Sequence, residues 1–245
     1  MDGRQYLAAF AVSASALLFA TAFVPSVPPT SADFGDPTIV AAAHAGSPAV
    51  RGRQLQLTPP PPQRCNRVAV VGDSLTAASR SWLDRDLDAA GLEHIIDGQV
   101  SRRIPATVRD PYSGVSATRR IRSSWGEADC WVIGLGSNDL EAGADDPISA
   151  ARWIGEELAA VTPGARVWWI NVSYRHEPGN PFDFASATTV FNAALDTRAS
   201  TDALVEVIDW HGEVVAHPTW LVDGVHVRSD GYRARTQLTV AALTD

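Results

Sequence analysis

The sequence predicts an α/β protein in which a five-stranded parallel sheet carries helices on both faces. Two patterns support this fold class. Short apolar runs alternate along the chain with longer segments of helical spacing, and this alternation is typical of β-α-β units. In addition, glycine or proline follows several of these runs and segments, as is common where a strand or helix ends.

The first β-α unit is the clearest one. A valine-rich strand is predicted at 67–71, and it ends at Gly72. Residues 75–90 carry apolar side chains at helical spacing and end before Gly91, a residue type that commonly terminates helices. A short second strand is predicted at 94–96.

The rest of the chain repeats this alternation. A helix is predicted at 116–125, and a strand follows at 130–135. Pro147 opens a helix that stops before Pro163, and the apolar run 166–172 has the composition of a central parallel strand. The remaining predicted elements are a helix at 184–199, a strand at 204–208 and a closing helix at 229–243.

Composition divides the chain of 245 residues into three segments. Residues 1–24 contain an uncharged, mostly apolar run over 6–24, which fits either a signal peptide or an N-terminal membrane anchor. Residues 25–62 are rich in proline and alanine, so we expect a disordered linker. Residues 63–245 form the predicted folded domain. Whether residues 1–24 are a signal peptide or an anchor, we expect the protein to be exported, either secreted or tethered through 6–24.

The net charge of −8 argues against a nucleic-acid partner, which would need a basic face.

The two cysteines, Cys65 and Cys130, stand at the amino-terminal ends of two predicted strands. If those strands are neighbours, both sulfur atoms start at the same edge of the sheet. A disulfide is then expected in an exported protein. The alternative is two buried free thiols.

A serine, a histidine and an aspartate indicate nucleophilic catalysis. Ser74 follows a strand and the turn Gly72-Asp73, so its hydroxyl is expected at the carboxyl edge of the sheet. The helix N-terminus behind Ser74 favours a developing oxyanion. His226 is the candidate base that takes the serine proton, and Asp223 would orient its imidazole. The alternative for Gly72-Asp73-Ser74 is a turn that caps the following helix. The alternative for Asp223 and His226 is a solvated loop.

Three motifs together resemble the SGNH hydrolase (GDSL esterase/lipase) superfamily, in its bacterial exported form. The motifs are Gly72-Asp73-Ser74-Leu75, Gly136-Ser137-Asn138-Asp139 and Asp223-Gly224-Val225-His226. The likeness covers about residues 66–245, and it makes the folded domain an SGNH hydrolase-like catalytic domain. The resemblance implies a three-layer α/β/α sandwich with a five-stranded parallel, flavodoxin-like sheet.

The resemblance also implies roles for the site residues. Ser74 would be the nucleophile, His226 the general base and Asp223 its orienting partner. The oxyanion hole would consist of the Asn138 side chain and two backbone N–H groups, one of them from Ser74. No metal or cofactor is implied.

One family motif is altered in this chain. Family members that act on cell-envelope glycans often read Asp-x-x-Val-Gly-Arg after the second strand, whereas Asp97 to Arg102 places Ser101 at the glycine position. A serine N–H donates as well as a glycine N–H, so Ser101 is the expected second backbone donor. A positive φ at this position would cost serine about 1 kcal/mol. Gly98 is the alternative donor if the loop is shifted.

The sequence therefore predicts an exported serine esterase that hydrolyses or transfers the acyl groups of small-molecule, glycan or lipid esters, with cell-envelope glycans or glycolipids as candidate substrates. A monomer is expected. The alternatives are an O-acyltransferase acting on envelope glycans and a catalytically silent glycan-binding module. Trp210 and Trp220 are candidates either for lining the substrate site or for packing. Arg102 and Arg103 are candidates for substrate contact or for a solvated turn.

Overall fold

The computed structural model describes residues 64–105, 111–175 and 184–244. The strands are β1 (Arg67–Gly72), β2 (Glu93–Gly98), β3 (Cys130–Gly134), β4 (Arg166–Ile170) and β5 (Val205–Ile208). The helices are α1 (Ser74–Ala89), α2 (Gly114–Ser124), α3 (Pro147–Leu158), α4 (Phe184–Thr201), α5 (Trp210–Ala216) and α6 (Ser229–Thr244). All strand pairs are parallel, in the order β2-β1-β3-β4-β5. This arrangement confirms the predicted fold class.

Helices cover both faces of the sheet because its central strands are apolar on both sides. All five residues of β3 are buried. Two adjacent tryptophans on β4 mark the division between the faces. Trp169 belongs to the core shared with α2, α3 and α4, and Trp168 belongs to the core shared with α1, α5 and α6. The three layers are therefore helices, sheet and helices.

The carboxyl ends of the strands meet at one edge of the sheet because the strands are parallel. Gly72, the last residue of β1, is in register with Gly98 on β2 and with Gly134 on β3. The three loops that follow these glycines carry the nucleophile, the altered motif and the asparagine motif. Strand order thus brings three of the four predicted motifs to a common edge.

The disulfide between Cys65 and Cys130 lies at the opposite edge. Its Cα atoms are 5.6 Å apart across a sequence separation of 65 residues. Cys130 is in register with Val68 on β1, so the predicted adjacency of the two strands and the predicted pairing are both confirmed.

The structure differs from the predicted elements just after β5. Between the predicted strand at 204–208 and the predicted helix at 229–243, where we predicted no helix or strand, the structure contains α5 and a 3₁₀ helix at Pro218–Trp220. Another 3₁₀ helix lies at Leu140–Ala142. Helix α5 has seven residues, which is too short for a clear apolar period. It is nucleated by the side chain of Asp209, which accepts the Gly212 N–H at 2.9 Å.

The predictions for residues 1–24 and 25–62 lie outside the described residues. In the part of the chain that the structure describes, no helix has both the length and the apolar character that crossing a membrane requires.

Candidate active site

Ser74 is the first residue of α1, directly after β1 and a one-residue turn. The buried side chain of Asp73 caps this helix by accepting the Leu75 N–H at 3.0 Å. The Ser74 hydroxyl is half-buried, and its Oγ lies 2.9 Å from Nε2 of His226. The capping role that sequence reasoning considered for this turn therefore falls to Asp73, and the hydroxyl of Ser74 faces a histidine.

Asp223 holds the other side of the imidazole. Its Oδ2 lies 2.9 Å from Nδ1 of His226, and its Oδ1 accepts the backbone N–H groups of Val225 and His226 at 2.8 and 2.6 Å. Burial favours the neutral carboxyl, but these N–H donors and the imidazole outweigh it and lower the pKa of Asp223. An ionised Asp223 favours the tautomer with a proton on Nδ1, which leaves Nε2 free to accept the Ser74 proton.

The loop that carries Asp223 and His226 is braced by the segment after β4. The Arg175 N–H donates to the Gly224 carbonyl oxygen at 2.8 Å. A Cβ atom on Gly224 would lie 2.7 Å from Cζ of Tyr174 and 2.8 Å from the Arg175 carbonyl oxygen. Gly224 is thus the residue that lets the loop approach this segment. Sequence reasoning missed this support, because no local pattern relates Tyr174 to Gly224.

Asn138 lies in a tight turn after β3, in which the Asp139 N–H donates to the Gly136 carbonyl oxygen at 2.9 Å. Gly136 has a φ of 127°, and a Cβ atom there would lie 2.6 Å from the ring of Phe191. The Asn138 side-chain amide donates one hydrogen bond, of 3.1 Å, to the carbonyl oxygen of Arg102. A second amide N–H remains for a ligand, since an asparagine amide carries two donors.

Ser101 lies in a turn in which the Arg102 N–H donates to the Gln99 carbonyl oxygen at 3.2 Å. Its φ is 59°, in the left-handed region where serine is disfavoured by about 1 kcal/mol. Ser101 is exposed, and it is not among the residues that line the pocket at Ser74. The alternative donor, Gly98, packs against α1, where a Cβ atom would lie 2.5 Å from the Ala77 nitrogen.

Arg102 has neither of the roles considered from the sequence. It is 3% exposed, and its guanidinium donates to Oδ1 of Asp97 at 2.7 Å and to the Gly72 carbonyl oxygen at 3.0 Å. Burial opposes ionisation of Asp97, but the hydrogen bonds and charges of Arg102 and Arg120 lower its pKa overall. Arg103 is exposed and lies 4.0 Å from Glu141.

A pocket of about 280 Å³ lies over the Ser74 hydroxyl. Its described lining consists of Ser74, Ser137, Asn138, Glu141, Tyr174, Phe184, Asp223, Gly224, Val225 and His226. The rings of Tyr174 and Phe184 meet edge to face, with centroids 4.4 Å apart, and form its aromatic wall. The pocket lining therefore combines two aromatic rings with several hydrogen-bonding groups.

Trp210 and Trp220 do not line this pocket. Trp210 is 1% exposed, and it stacks on Trp220 with the ring centroids 6.1 Å apart. The packing alternative is therefore correct for Trp210. Among the residues that the structure describes, no three or more His, Cys, Asp or Glu side chains form a group able to hold a metal ion.

Two buried carboxyl groups lie behind the site. Burial raises the pKa of Asp139 to about 7, although the Ile104 N–H donates to both of its oxygens at 3.1 and 3.2 Å. Burial likewise raises the pKa of Glu157 to about 7, although the Thr118 hydroxyl donates to it. Neither side chain lines the pocket.

A sequence profile of the GDSL-like lipase/acylhydrolase family matches residues 70–234. No curated protein sequence matches the chain. Among solved structures, the fold is similar to the C-terminal catalytic domain of Streptococcus pneumoniae peptidoglycan O-acetyltransferase A with a methylsulfonyl adduct, at 16% identity and a TM-score of 0.55, covering 74% of this chain and 94% of that chain.

Two further structures share the fold. A carbohydrate acetylesterase family member from Sinorhizobium meliloti has 17% identity and a TM-score of 0.57, covering 73% of this chain and 97% of that chain. A GDSL-like lipase from Bacteroides thetaiotaomicron has 17% identity and a TM-score of 0.56, covering 73% and 87%. The similarities to solved structures show that the fold is shared. The profile match shows that the chain belongs to the family. The chain belongs to the GDSL-like lipase/acylhydrolase family of serine-dependent ester hydrolases.

Proposed function

We propose that the protein is an exported serine esterase in which Ser74, His226 and Asp223 form a catalytic triad. The observation that carries the proposal is the pair of 2.9 Å contacts that join Ser74 Oγ to His226 Nε2 and His226 Nδ1 to Asp223 Oδ2. Both distances are within hydrogen-bond reach, so a proton can pass from the hydroxyl to the imidazole while the carboxylate stabilises the resulting imidazolium.

The reaction proceeds through an acyl-enzyme. Ser74 Oγ attacks the ester carbonyl carbon as its proton moves to Nε2 of His226. The carbonyl oxygen becomes an oxyanion that accepts hydrogen bonds from the Asn138 amide and from the backbone N–H group of Ser74. The family motif assigns the remaining backbone donor to Ser101, and we adopt this assignment. His226 then gives its proton to the leaving alcohol, and the acyl group stays on Ser74.

The second step releases the acyl group. Water attacks the acyl carbonyl carbon and gives a proton to His226. The bond between that carbon and Ser74 Oγ then breaks, His226 returns the proton to Oγ, and the carboxylic acid leaves. A substrate hydroxyl that takes the place of water would make the same enzyme an O-acyltransferase. The aligned triad favours either enzyme over a silent glycan-binding module, because a binding module has no use for a serine held 2.9 Å from a histidine.

The proposed substrates are acyl esters of cell-envelope glycans or lipids, acted on by a monomer. The pocket supports this class because its lining includes the polar side chains of Ser137, Asn138 and Glu141, which suit a hydroxyl-rich alcohol. Fold neighbours include a peptidoglycan O-acetyltransferase and a carbohydrate acetylesterase. Export is supported by the Cys65–Cys130 disulfide, a bond typical of oxidising compartments.

The N-terminal organisation belongs to the same proposal. Residues 1–24 would serve as a signal peptide or as a membrane tether through 6–24, and 25–62 as a linker to the catalytic domain at 63–245. Fractionation of cells that express the full chain, followed by N-terminal sequencing, separates these forms. A protein recovered in the cytoplasm with free Cys65 and Cys130 would contradict export.

The test of the enzymatic proposal is turnover of a short-chain nitrophenyl ester by the purified full-length chain. Ser74→Ala should abolish turnover and labelling by a fluorophosphonate, while its far-ultraviolet circular dichroism stays that of the wild type. Turnover in the presence of a sugar acceptor then separates acid release from acyl transfer. Labelling at a serine other than Ser74 would refute the assignment.

A further inference from the structure

We propose that the buried side chains of Arg102 and Asp139 form a clamp that holds Ser101 in its left-handed conformation and so completes the oxyanion hole. The inference rests on the proposed esterase function and adds two positioning residues to it. Neither side chain lines the pocket. Both would therefore act on catalysis indirectly, by fixing the backbone of the turn that contains Ser101.

The strain at Ser101 is the starting point. Among the described residues, Ser101 is the sole non-glycine residue with a positive φ. Turns with a positive φ at the third residue favour glycine, because a Cβ atom crowds the backbone there. Such a conformation persists only where the surroundings over-determine it. Since Ser101 itself is exposed, its neighbours must supply that constraint.

Arg102 supplies the constraint on one side. Its side chain is 1% exposed, and its guanidinium donates to the carbonyl oxygens of Gly72 and Tyr112 at 3.0 and 2.8 Å, to the Asp97 carbonyl oxygen and to the Asp97 carboxylate. Gly72 ends β1, and Asp97 is in β2. The residue directly after the strained serine is therefore tied to two neighbouring strands through a rigid planar group.

Asp139 supplies the constraint on the other side. Its carboxylate is buried and accepts the Ile104 N–H with both oxygens, at 3.1 and 3.2 Å. The preceding residue, Asn138, donates its amide to the Arg102 carbonyl oxygen at 3.1 Å. Consecutive residues of the loop after β3 thus hold Arg102 and Ile104, so the turn that contains Ser101 is fixed relative to the proposed oxyanion donor Asn138.

This clamp explains how serine replaces the glycine of the family motif. A backbone N–H stabilises an oxyanion only if it is already aimed at it before the reaction, since reorganisation at that moment costs rate. Glycine adopts such a turn without support, whereas at serine the clamp enforces it, and Ser101 keeps its N–H in place as long as Arg102 and Asp139 hold their partners.

The test is a double-mutant cycle on kcat and KM with the full-length chain and a nitrophenyl ester. Arg102→Lys keeps the charge but cannot reach all four acceptors. It should lower kcat by about tenfold to a hundredfold with KM changed by less than about threefold, because a displaced donor weakens transition-state binding. In the Ser101→Gly background the same substitution should cost about fivefold less, because glycine adopts the turn without the clamp.

The matched control is Arg67→Lys. Arg67 also donates to two backbone carbonyl oxygens, those of Trp125 and Glu127 at 3.0 and 2.9 Å, but it lies at the amino-terminal end of β1. Its substitution should lower the melting temperature and leave kcat within about twofold of the wild type. A merely structural role for Arg102 would give the same result as this control, which would overturn the proposal.

Asp139→Asn tests the other half of the clamp, in the same double-mutant cycle with Ser101→Gly. It should lower kcat and should cost less in the Ser101→Gly background. Equal losses in both backgrounds would overturn the clamp. If either variant fails to fold, recovery of soluble, active enzyme by Ser101→Gly supports the clamp, and failure to recover it contradicts the clamp.

Ser74→Ala is measured in parallel. Turnover by that variant would refute the proposed function itself, whereas an inactive Ser74→Ala together with an unaffected Arg102→Lys refutes the clamp alone.

Discussion

The side-chain amide of Asn138 donates a hydrogen bond of 3.1 Å to the carbonyl oxygen of Arg102. This contact joins the loop after β3 to the loop after β2, the two loops that carry proposed oxyanion donors. One amide N–H is consumed inside the protein, and the other remains for a ligand in the pocket that Asn138 lines. Asn138 is therefore a proposed donor whose direction depends on a neighbouring loop.

Replacement of Asn138 tests the proposed oxyanion hole. Asn138→Ala should lower kcat by about 10²–10³ with little change in KM, because the amide meets charge that exists mainly in the transition state. Steady-state kinetics with a nitrophenyl ester measures both parameters. A variant whose only defect is a raised KM would place Asn138 in ground-state binding.

Replacement of the proposed base tests the triad. His226→Ala should lose nearly as much activity as Ser74→Ala, because residues that act as one unit are not additive. Asp223→Asn should lose less, since the carboxylate orients and stabilises the imidazole without bonding to substrate. His217→Ala is the control, because His217 stacks on Trp220 with ring centroids 4.2 Å apart and lies outside the pocket lining.

The double variant Ser74→Ala/His226→Ala sharpens this test. Its residual activity should match that of either single variant. A double variant far worse than both would mean that the two residues act independently, and the triad interpretation would be wrong.

Removal of the disulfide tests its contribution to stability. The paired substitution Cys65→Ala/Cys130→Ala should lower the free energy of unfolding by about 2–4 kcal/mol, because the bond restricts the unfolded chain over a long loop. Urea denaturation measures the change. Activity of the folded protein should be retained, since the bond lies at the sheet edge opposite Ser74. A loss of kcat in the folded variant would contradict this separation.

The buried carboxyl of Glu157 predicts a pH dependence of stability. Its pKa is raised by burial from 4.5 to about 7, so the native state binds more protons than the unfolded state between these values. Its contribution to stability is then fully present below about pH 4.5 and is lost as the pH rises through about 7. Glu157→Gln should remove this component, because it keeps the shape without the charge.

The measurement is the free energy of unfolding from pH 4.5 to 7.5 for the wild type and for Glu157→Gln. The difference between the two proteins should move in favour of the variant as the pH rises. Glu141→Gln is the control, since the Glu141 side chain is 60% exposed and should leave the pH profile unchanged. Parallel profiles for the wild type and Glu157→Gln would contradict the prediction.

Most of the architecture could be predicted because its signals are local. The valine-rich run of β1, the proline that opens α3 and the terminating glycines each depend on a few neighbouring residues. Helix α5 was missed because seven residues provide too little periodicity and its start depends on a side-chain cap at Asp209. The disulfide could be predicted because both cysteines precede strands that were expected to pair.

The buried charges could not be predicted in this way. Arg102 and Arg103 are consecutive and chemically identical, yet Arg102 is buried against Asp97 and Arg103 is exposed. The family motif places an arginine at position 102, but residue type and spacing do not predict that it is the buried one, because the acceptors of Arg102 come from Gly72, Asp97 and Tyr112. The same holds for Gly224, whose small size matters only because Tyr174 and Arg175 pack against it.

The sequence by itself determined the fold class, the candidate residues Ser74, Asn138, Asp223 and His226, and the serine at position 101 where the family motif has glycine. Those conclusions follow from residue type and spacing and, for Asn138 and position 101, from the resemblance of short motifs to the SGNH superfamily, and all of these are properties of short segments. The tertiary structure decided that Ser101 adopts a φ of 59° and that Arg102 and Asp139 surround its turn. It could do so because hydrogen bonds between loops of different strands depend on strand order and register, and these arise only when the whole sheet has assembled.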